Sequence, residues 1–186
     1  MTQQCRVIAY VDGFNLYHTV RYYKPNKVDL WSLFESLNQT NEELVAVKYF
    51  SAYAQWLPRK TTSHKRYVKD LEATGVVVKL GQYKKKGPKG SWEEKETDIN
   101  IALRMVMDAE DDLFDRAKLL TVDSDLVSAV KELKERKPEK QVLIVKPPGR
   151  SQYGRELVEA AGGGRGFNLD ATRVKRHMFR ASARSE

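Results

Sequence analysis

Short apolar runs that end on turn residues recur along this chain, and between them lie stretches with apolar residues three or four apart. Val7-Ile8-Ala9-Tyr10-Val11, stopped by Asp12-Gly13, predicts a buried strand over Arg6–Val11. Leu16 and Val20 share one face of a helix expected from Asn15 to Tyr23, which Lys24-Pro25-Asn26-Lys27 breaks. Asp29 can N-cap a short helix over Leu30–Leu37 by accepting backbone N–H groups. Val45, Val47 and Tyr49, alternating against Lys48, predict a second strand over Leu44–Tyr53. Pro58 and Thr61-Thr62-Ser63 open a charged helix that runs to about Thr74, where Gly75 supplies a left-handed stop. Val76-Val77-Val78 begins a third strand, which ends at Gly81.

The next segment, Tyr83 to Lys95, has no periodicity and contains Gly87, Pro88 and Gly90, so it reads as a long loop. Thr97 can cap a helix to about Ala109, apolar at Ile99, Leu103 and Val106. A fourth strand over Lys118–Val122 leads to a helix starting at Ser124 or Asp125 and reaching about Lys137. Gln141–Val145 reads as the fifth strand, and Pro147-Pro148-Gly149-Arg150 turns into a helix capped by Ser151. Gly162-Gly163-Gly164 and Gly166 come late and show no following strand–helix unit, while residues 170–177 predict a basic helix with a frayed end. Strands alternating with helices at this spacing predict an α/β protein, a three-layer sandwich around a mainly parallel sheet. A single domain over residues 1–168 and a basic, partly helical tail over 169–186 are expected.

Composition narrows the class. The 186 residues suffice for one sizeable core, and a hydrophobic fraction of 41% with 31% charged residues belongs to a globular protein. No apolar stretch approaches the roughly 18 residues of a membrane span, and the first residues lack the pattern of an export signal. The lone Cys5 excludes an internal disulfide and fits a reducing, cytoplasmic setting. A net charge of +8 and a pI near 9.5 point to a polyanionic partner. Acidic residues concentrate around positions 93–115, whereas basic ones gather at 84–89 and 173–184.

Four aspartates, Asp12, Asp98, Asp123 and Asp125, sit where an apolar run meets a turn or a helix start. Each also suits a purely structural role, because Asp favours turns, N-caps and first helical turns. In an open α/β sheet, however, ligands bind beyond the carboxyl ends of the strands, so these carboxylates would converge on one edge. Crowded carboxylates need a cation to offset their repulsion, and Mg²⁺ or Mn²⁺, one or two ions, suits an all-oxygen site. Asn15 could orient Asp12 or hold a phosphate, and Ser124 could contact a phosphate at the helix start. Lys84, Lys85, Lys86 and Lys89, flanked by Tyr83 and Trp92, could neutralise phosphates beside stacked bases, with Arg150 at another strand exit. Glu93, Glu94 and Glu96 read as mostly solvated loop charges, and Asp108, Glu110, Asp111, Asp112 and Asp115 as a solvent-facing helix end and loop. His18, His64 and His177 show no zinc spacing, and His18 is expected to pack on its own helix.

The blocks VIAYVDGFNLYH, EKETDINIA and LLTVDSDLVSAV together resemble the NYN domain family, a branch of the PIN-like nucleases that includes bacterial LabA/DUF88-type proteins. The resemblance covers roughly residues 6–160. It implies a Rossmann-like α/β/α sandwich and Mg²⁺- or Mn²⁺-dependent cleavage of RNA leaving a 5′-phosphate. By motif it implies an acidic centre at Asp12, Asp98, Asp123 and Asp125 with Asn15 beside it. One departure is Thr121-Val122 before Asp123, where the family commonly has Ser-Gly. The expected function is therefore a metal-dependent endoribonuclease acting on single-stranded RNA. A non-catalytic nucleic-acid-binding module with the same fold is the alternative, and a haloacid-dehalogenase-like phosphatase, suggested by Asp123-Ser124-Asp125, a weaker one. A homodimer is compatible with the sequence but not inferable from it.

Overall fold

The computed structural model describes residues 4–24, 26–87, 90–164 and 166–179. Its centre is a six-stranded sheet formed by β1 (Cys5–Asp12), β2 (Glu42–Ser51), β3 (Val77–Leu80), β6 (Arg116–Leu120), β7 (Gln141–Lys146) and β8 (Phe167–Asn168). The order is β3-β2-β1-β6-β7-β8, and every neighbouring pair is parallel. From β1 the chain builds outward through β2 and β3, then returns to place β6 on the other side of β1. The gap between the carboxyl ends of β1 and β6 is thus the topological switch point at which open α/β sheets form their crevice.

Residue alternation along β1 divides the core in two. Val7, Ala9 and Val11 face α1 (Gly13–Val20), α2 (Leu30–Glu35), α3 (Pro58–Ala73) and α7 (Ala171–Arg176), through Leu16, Leu33, Leu71 and Val174. Ile8 and Tyr10 face α4 (Thr97–Glu110), α5 (Val127–Arg136) and α6 (Arg155–Ala160), through Met105, Val130 and Leu157. A parallel sheet covered on both faces explains why its central strands are nearly continuous apolar runs. The expected three-layer architecture is what forms.

Several local expectations are corrected. The segment read as a loop is an antiparallel hairpin, β4 (Gln82–Lys85) with β5 (Trp92–Lys95). Its register sets Lys84 against Glu93 and Tyr83 against Glu94, so cross-strand pairing supplies what periodicity lacked. Asp12, not a later residue, caps α1, and α1 ends at Val20. Thr97 is the first residue of α4 rather than its cap. Ser151 caps nothing; α6 starts at Arg155 after Gly154 in the left-handed region. The glycine run is followed by a strand and a helix, β8 and α7. Beyond residue 168 the chain stays in the fold: Leu169 and Val174 are core residues, and Asp29 N–H donates to His177 O at 2.7 Å. Of the basic residues expected to grip a polyanion, Lys89, Arg180 and Arg184 lie outside the described residues.

Asp108 overturns its assignment to solvent. Asp108 is completely buried and accepts from the Tyr10 hydroxyl at 2.6 Å and from Lys48 Nζ at 2.5 Å. The pair links α4 to the middle of β1 and β2, and burying either charge alone would be costly.

Candidate metal centre

Asp12 ends β1, Asp123 follows β6, and Asp98 lies in the first turn of α4, which starts at the same edge. One carboxylate oxygen from each lies within 4.8 Å of the other two. Three carboxylates from three separate elements therefore meet at the switch point, as the strand-end argument requires. Asp125 does not join them: its side chain is exposed, and its backbone N–H donates to Asp123 Oδ1 at 3.0 Å. Ser124 is likewise exposed.

Asp12 is the best-held member. Its Oδ1 accepts from the backbone N–H groups of Phe14 and Asn15, both at 3.0 Å, which caps α1. Its Oδ2 accepts from Asn15 Nδ2 at 2.5 Å and from the buried Thr121 hydroxyl at 2.9 Å. Capping and site geometry are thus one arrangement rather than rival explanations. Thr121 also accepts from the Asp123 backbone N–H at 3.1 Å, so it ties the two strand ends together. Where the family commonly has Gly, the Val122 side chain lies 3.3 Å from where a Cβ on Gly154 would sit. Gly154, at φ 71°, makes the room that Val122 takes.

Electrostatically the site is strained by like charge. Burial, followed by the charges of Asp12, Asp123, Glu94 and Asp125, pushes the Asp98 carboxyl up to about 7. Burial also raises Asp12, although hydrogen bonds from Asn15 and Thr121 oppose it. Glu94 is raised by burial and by Asp12 and Asp123, and its Oε1 is buried without a hydrogen-bond partner. Sequence reasoning counted Glu94 as a solvated loop charge and passed over Thr121. Oppositely charged Lys84–Lys86 and Glu93–Glu94, flanking a stretch of sequence with Gly and Pro, were the signal for the hairpin that brings Glu94 in. Among the described residues no Lys or Arg forms an ion pair with Asp12, Asp98, Glu94 or Asp123.

The basic candidates lie at the periphery. Lys84, Lys85 and Lys86 are exposed on the hairpin, with Lys86 Nζ 3.4 Å from Glu93. The Arg150 guanidinium lies 5.2 Å over the Tyr153 ring and is close enough to His18 to help lower its pKa. His18 itself packs edge-on against Phe14, as expected.

A donor set of carboxylate oxygens only, crowded and without a protein cation, fits a hard divalent ion such as Mg²⁺ or Mn²⁺. No helix among the described residues is long and apolar enough to cross a membrane. The chain resembles in fold a protein of unknown function from Vibrio parahaemolyticus RIMD 2210633, with a TM-score of 0.65 and 24% identity over 92% of this chain and 96% of that one. No curated protein matches the chain. The model of the NYN domain matches residues 6–162, and the chain belongs to that family of PIN-like nucleases.

Proposed function

We propose that this NYN-domain chain is a metal-dependent endoribonuclease that hydrolyses single-stranded RNA. One observation carries the reading: Asp12, Asp98 and Asp123, from three separate elements, converge at the switch point of a parallel sheet. Asp12, Asp98 and Asp123 would hold Mg²⁺ or Mn²⁺. When bound, such an ion polarises the phosphoryl oxygen and lowers the pKa of water.

The chain's own contribution is position and charge. Asn15 and Thr121 fix Asp12 so that its carboxylate does not need to reorganise on meeting a cation. Asp125, exposed at the rim, is assigned an outer role, accepting a hydrogen bond from water or from the departing hydroxyl. Ser124 and Arg150 at strand exits, with Lys84, Lys85 and Lys86 on the hairpin, hold flanking phosphates; Lys89, in the same basic run, is assigned that role from sequence. Hydrolysis adds water across the P–O3′ bond and leaves a 5′-phosphate and a 3′-hydroxyl.

The test is cleavage of end-labelled single-stranded RNA with Mn²⁺ or Mg²⁺. EDTA should abolish it. Removing a partner of a metal ligand costs about 10–100-fold, so losing a ligand in Asp123→Asn should cost at least about 100-fold. No cleavage with either ion, or cleavage that survives EDTA, would overturn the reading.

A further inference from the structure

Beside the aspartates a cavity of about 440 Å³ opens between α1, the segment after β2 and the start of α3. Its volume lies within the range of small-ligand sites, roughly 300–1,000 Å³. It begins at Gly13, the residue after Asp12. A Cβ there would lie 2.6 Å from the Tyr49 hydroxyl and 2.7 Å from the Phe50 carbonyl oxygen. Only glycine lets the Tyr49 ring slide under the start of α1, and that ring forms the cavity floor.

The walls are aromatic on both sides. Phe14 and Tyr17 on α1 keep 45% and 41% of their surface exposed, although both face the cavity. Opposite them stand Trp56 and Tyr83. Trp56 is held rigidly: it stacks on Trp92 at 4.4 Å with an interplanar angle of 2°, and Tyr83 meets it edge-on at 4.7 Å. The floor supplies sparse polarity, with the Tyr49 hydroxyl 3.3 Å from His64 Nε2. Burial lowers the His64 pKa, which favours the neutral ring that can both donate and accept. The lining carries the cations Arg21, Lys27 and Lys60 and no carboxylate. Aromatic faces, a few neutral donors and acceptors, and cations without anions are what an unpaired base on a phosphate backbone requires.

We infer that this cavity receives one unpaired nucleobase of the RNA strand, splayed out beside the phosphate that sits at Asp12, Asp98 and Asp123. The inference rests on the ribonuclease reading for the identity of the strand and adds the substrate's required state: an unstacked, unpaired base next to the cut. Duplex RNA is then a poor substrate, because presenting that base means unpairing it first.

The test uses the full chain in EDTA, so that binding is read without cleavage. Fluorescence anisotropy compares a labelled single-stranded RNA octamer with an octamer of the same charge that carries no bases. The base-bearing strand should bind about 10-fold more tightly, the lower part of the range that alanine substitution gives for base stacking. Ala54→Trp, which fills the cavity from its wall, should bind the two octamers alike, and Tyr17→Ala should lose most of the difference. Equal affinities in the wild type, an undiminished difference in both variants, or tight capture of a mononucleotide with no gain for the strand would overturn the inference. Failure of the nuclease reading shows separately, as absent metal-dependent cleavage of an RNA that still binds through its bases.

Discussion

The two edges of the central sheet carry similar numbers of carboxylates and treat them in opposite ways. At the amino edge, Asp115 accepts from Arg6 N–H and from Arg6 Nη2, both at 2.8 Å, and Lys140 pairs with Asp112. Glu42, the first residue of β2, is held by Arg116 and by Lys118 Nζ at 2.8 Å. Burial pushes Glu42 up, but these cations bring it below the usual carboxylate range, and hydrogen bonds from Lys140 and Arg6 lower Asp112 and Asp115. At the carboxyl edge, Asp12, Asp98 and Glu94 are all raised, with burial first among the causes. Shortage of cations is not the reason, since 33 Lys and Arg face 25 Asp and Glu. Carboxylates that the fold uses for itself are paired within the chain. Those left crowded and unpaired at a crevice are available for something the chain does not contain.

Removing one charge from each edge should therefore act in opposite directions. Glu42→Ala strips the one carboxylate partner from Lys118, whose side chain is 1% exposed, and should cost about 3 kcal/mol. Asp98→Asn removes repulsion and should leave the metal-free protein as stable or more so. Urea denaturation of both variants in EDTA checks this. Equal destabilisation by the two would erase the distinction between the edges.

A divalent ion sharpens the comparison further. At 100 times its dissociation constant it should stabilise the wild type by about 2.7 kcal/mol, because it binds the native state. Glu42→Ala should keep that increment from its lower baseline, whereas Asp123→Asn should lose most of it. Thermal melts with and without Mn²⁺ separate the two; an increment retained in Asp123→Asn would place the ion elsewhere.

The carboxyl edge was legible in the sequence, but unevenly, whereas the pairing at the amino edge was not read. Asp12 and Asp123 announce themselves because each closes an apolar run, and strand ends dictate where they point. Asp98 was found mainly through its motif, since a first-turn Asp on a helix is ordinary. Glu94 and Asp108 were misjudged for one reason. Their surroundings come from residues far away in sequence: the hairpin partner Tyr83 for one, Tyr10 and Lys48 for the other. Hydrophobic period reports which face of an element is buried, and it is silent where polar residues are buried together. Asp125 was grouped with the others by its place two residues after Asp123 and by the family motif, and in the 3-10 turn at Ser124–Leu126 it is exposed.

The smallest expected effect is a pH dependence, and its sign distinguishes the edges. An unfolded Asp titrates near its ordinary value of 3.8, whereas burial and like charge push Asp98 in the fold up to about 7. Between those values the unfolded chain has lost the proton that the native state keeps. The native state then binds more protons, so stability falls as pH rises through that window and levels off above about 7. Asp98 is only half-buried, and allowing for solvent screening the change should be of order 1 kcal/mol. The amino edge runs the other way. Asp112, Asp115 and Glu42 titrate lower in the fold, so their contribution is present at neutral pH and is lost as pH falls below about 4. Metal-free melts from pH 3 to pH 8 should thus show a maximum on the acid side of neutrality. Asp98→Asn should flatten the decline between pH 4 and 7 without moving the acid limb. A decline that is unchanged in Asp98→Asn would show that the aspartate cluster does not carry the repulsion assigned to it.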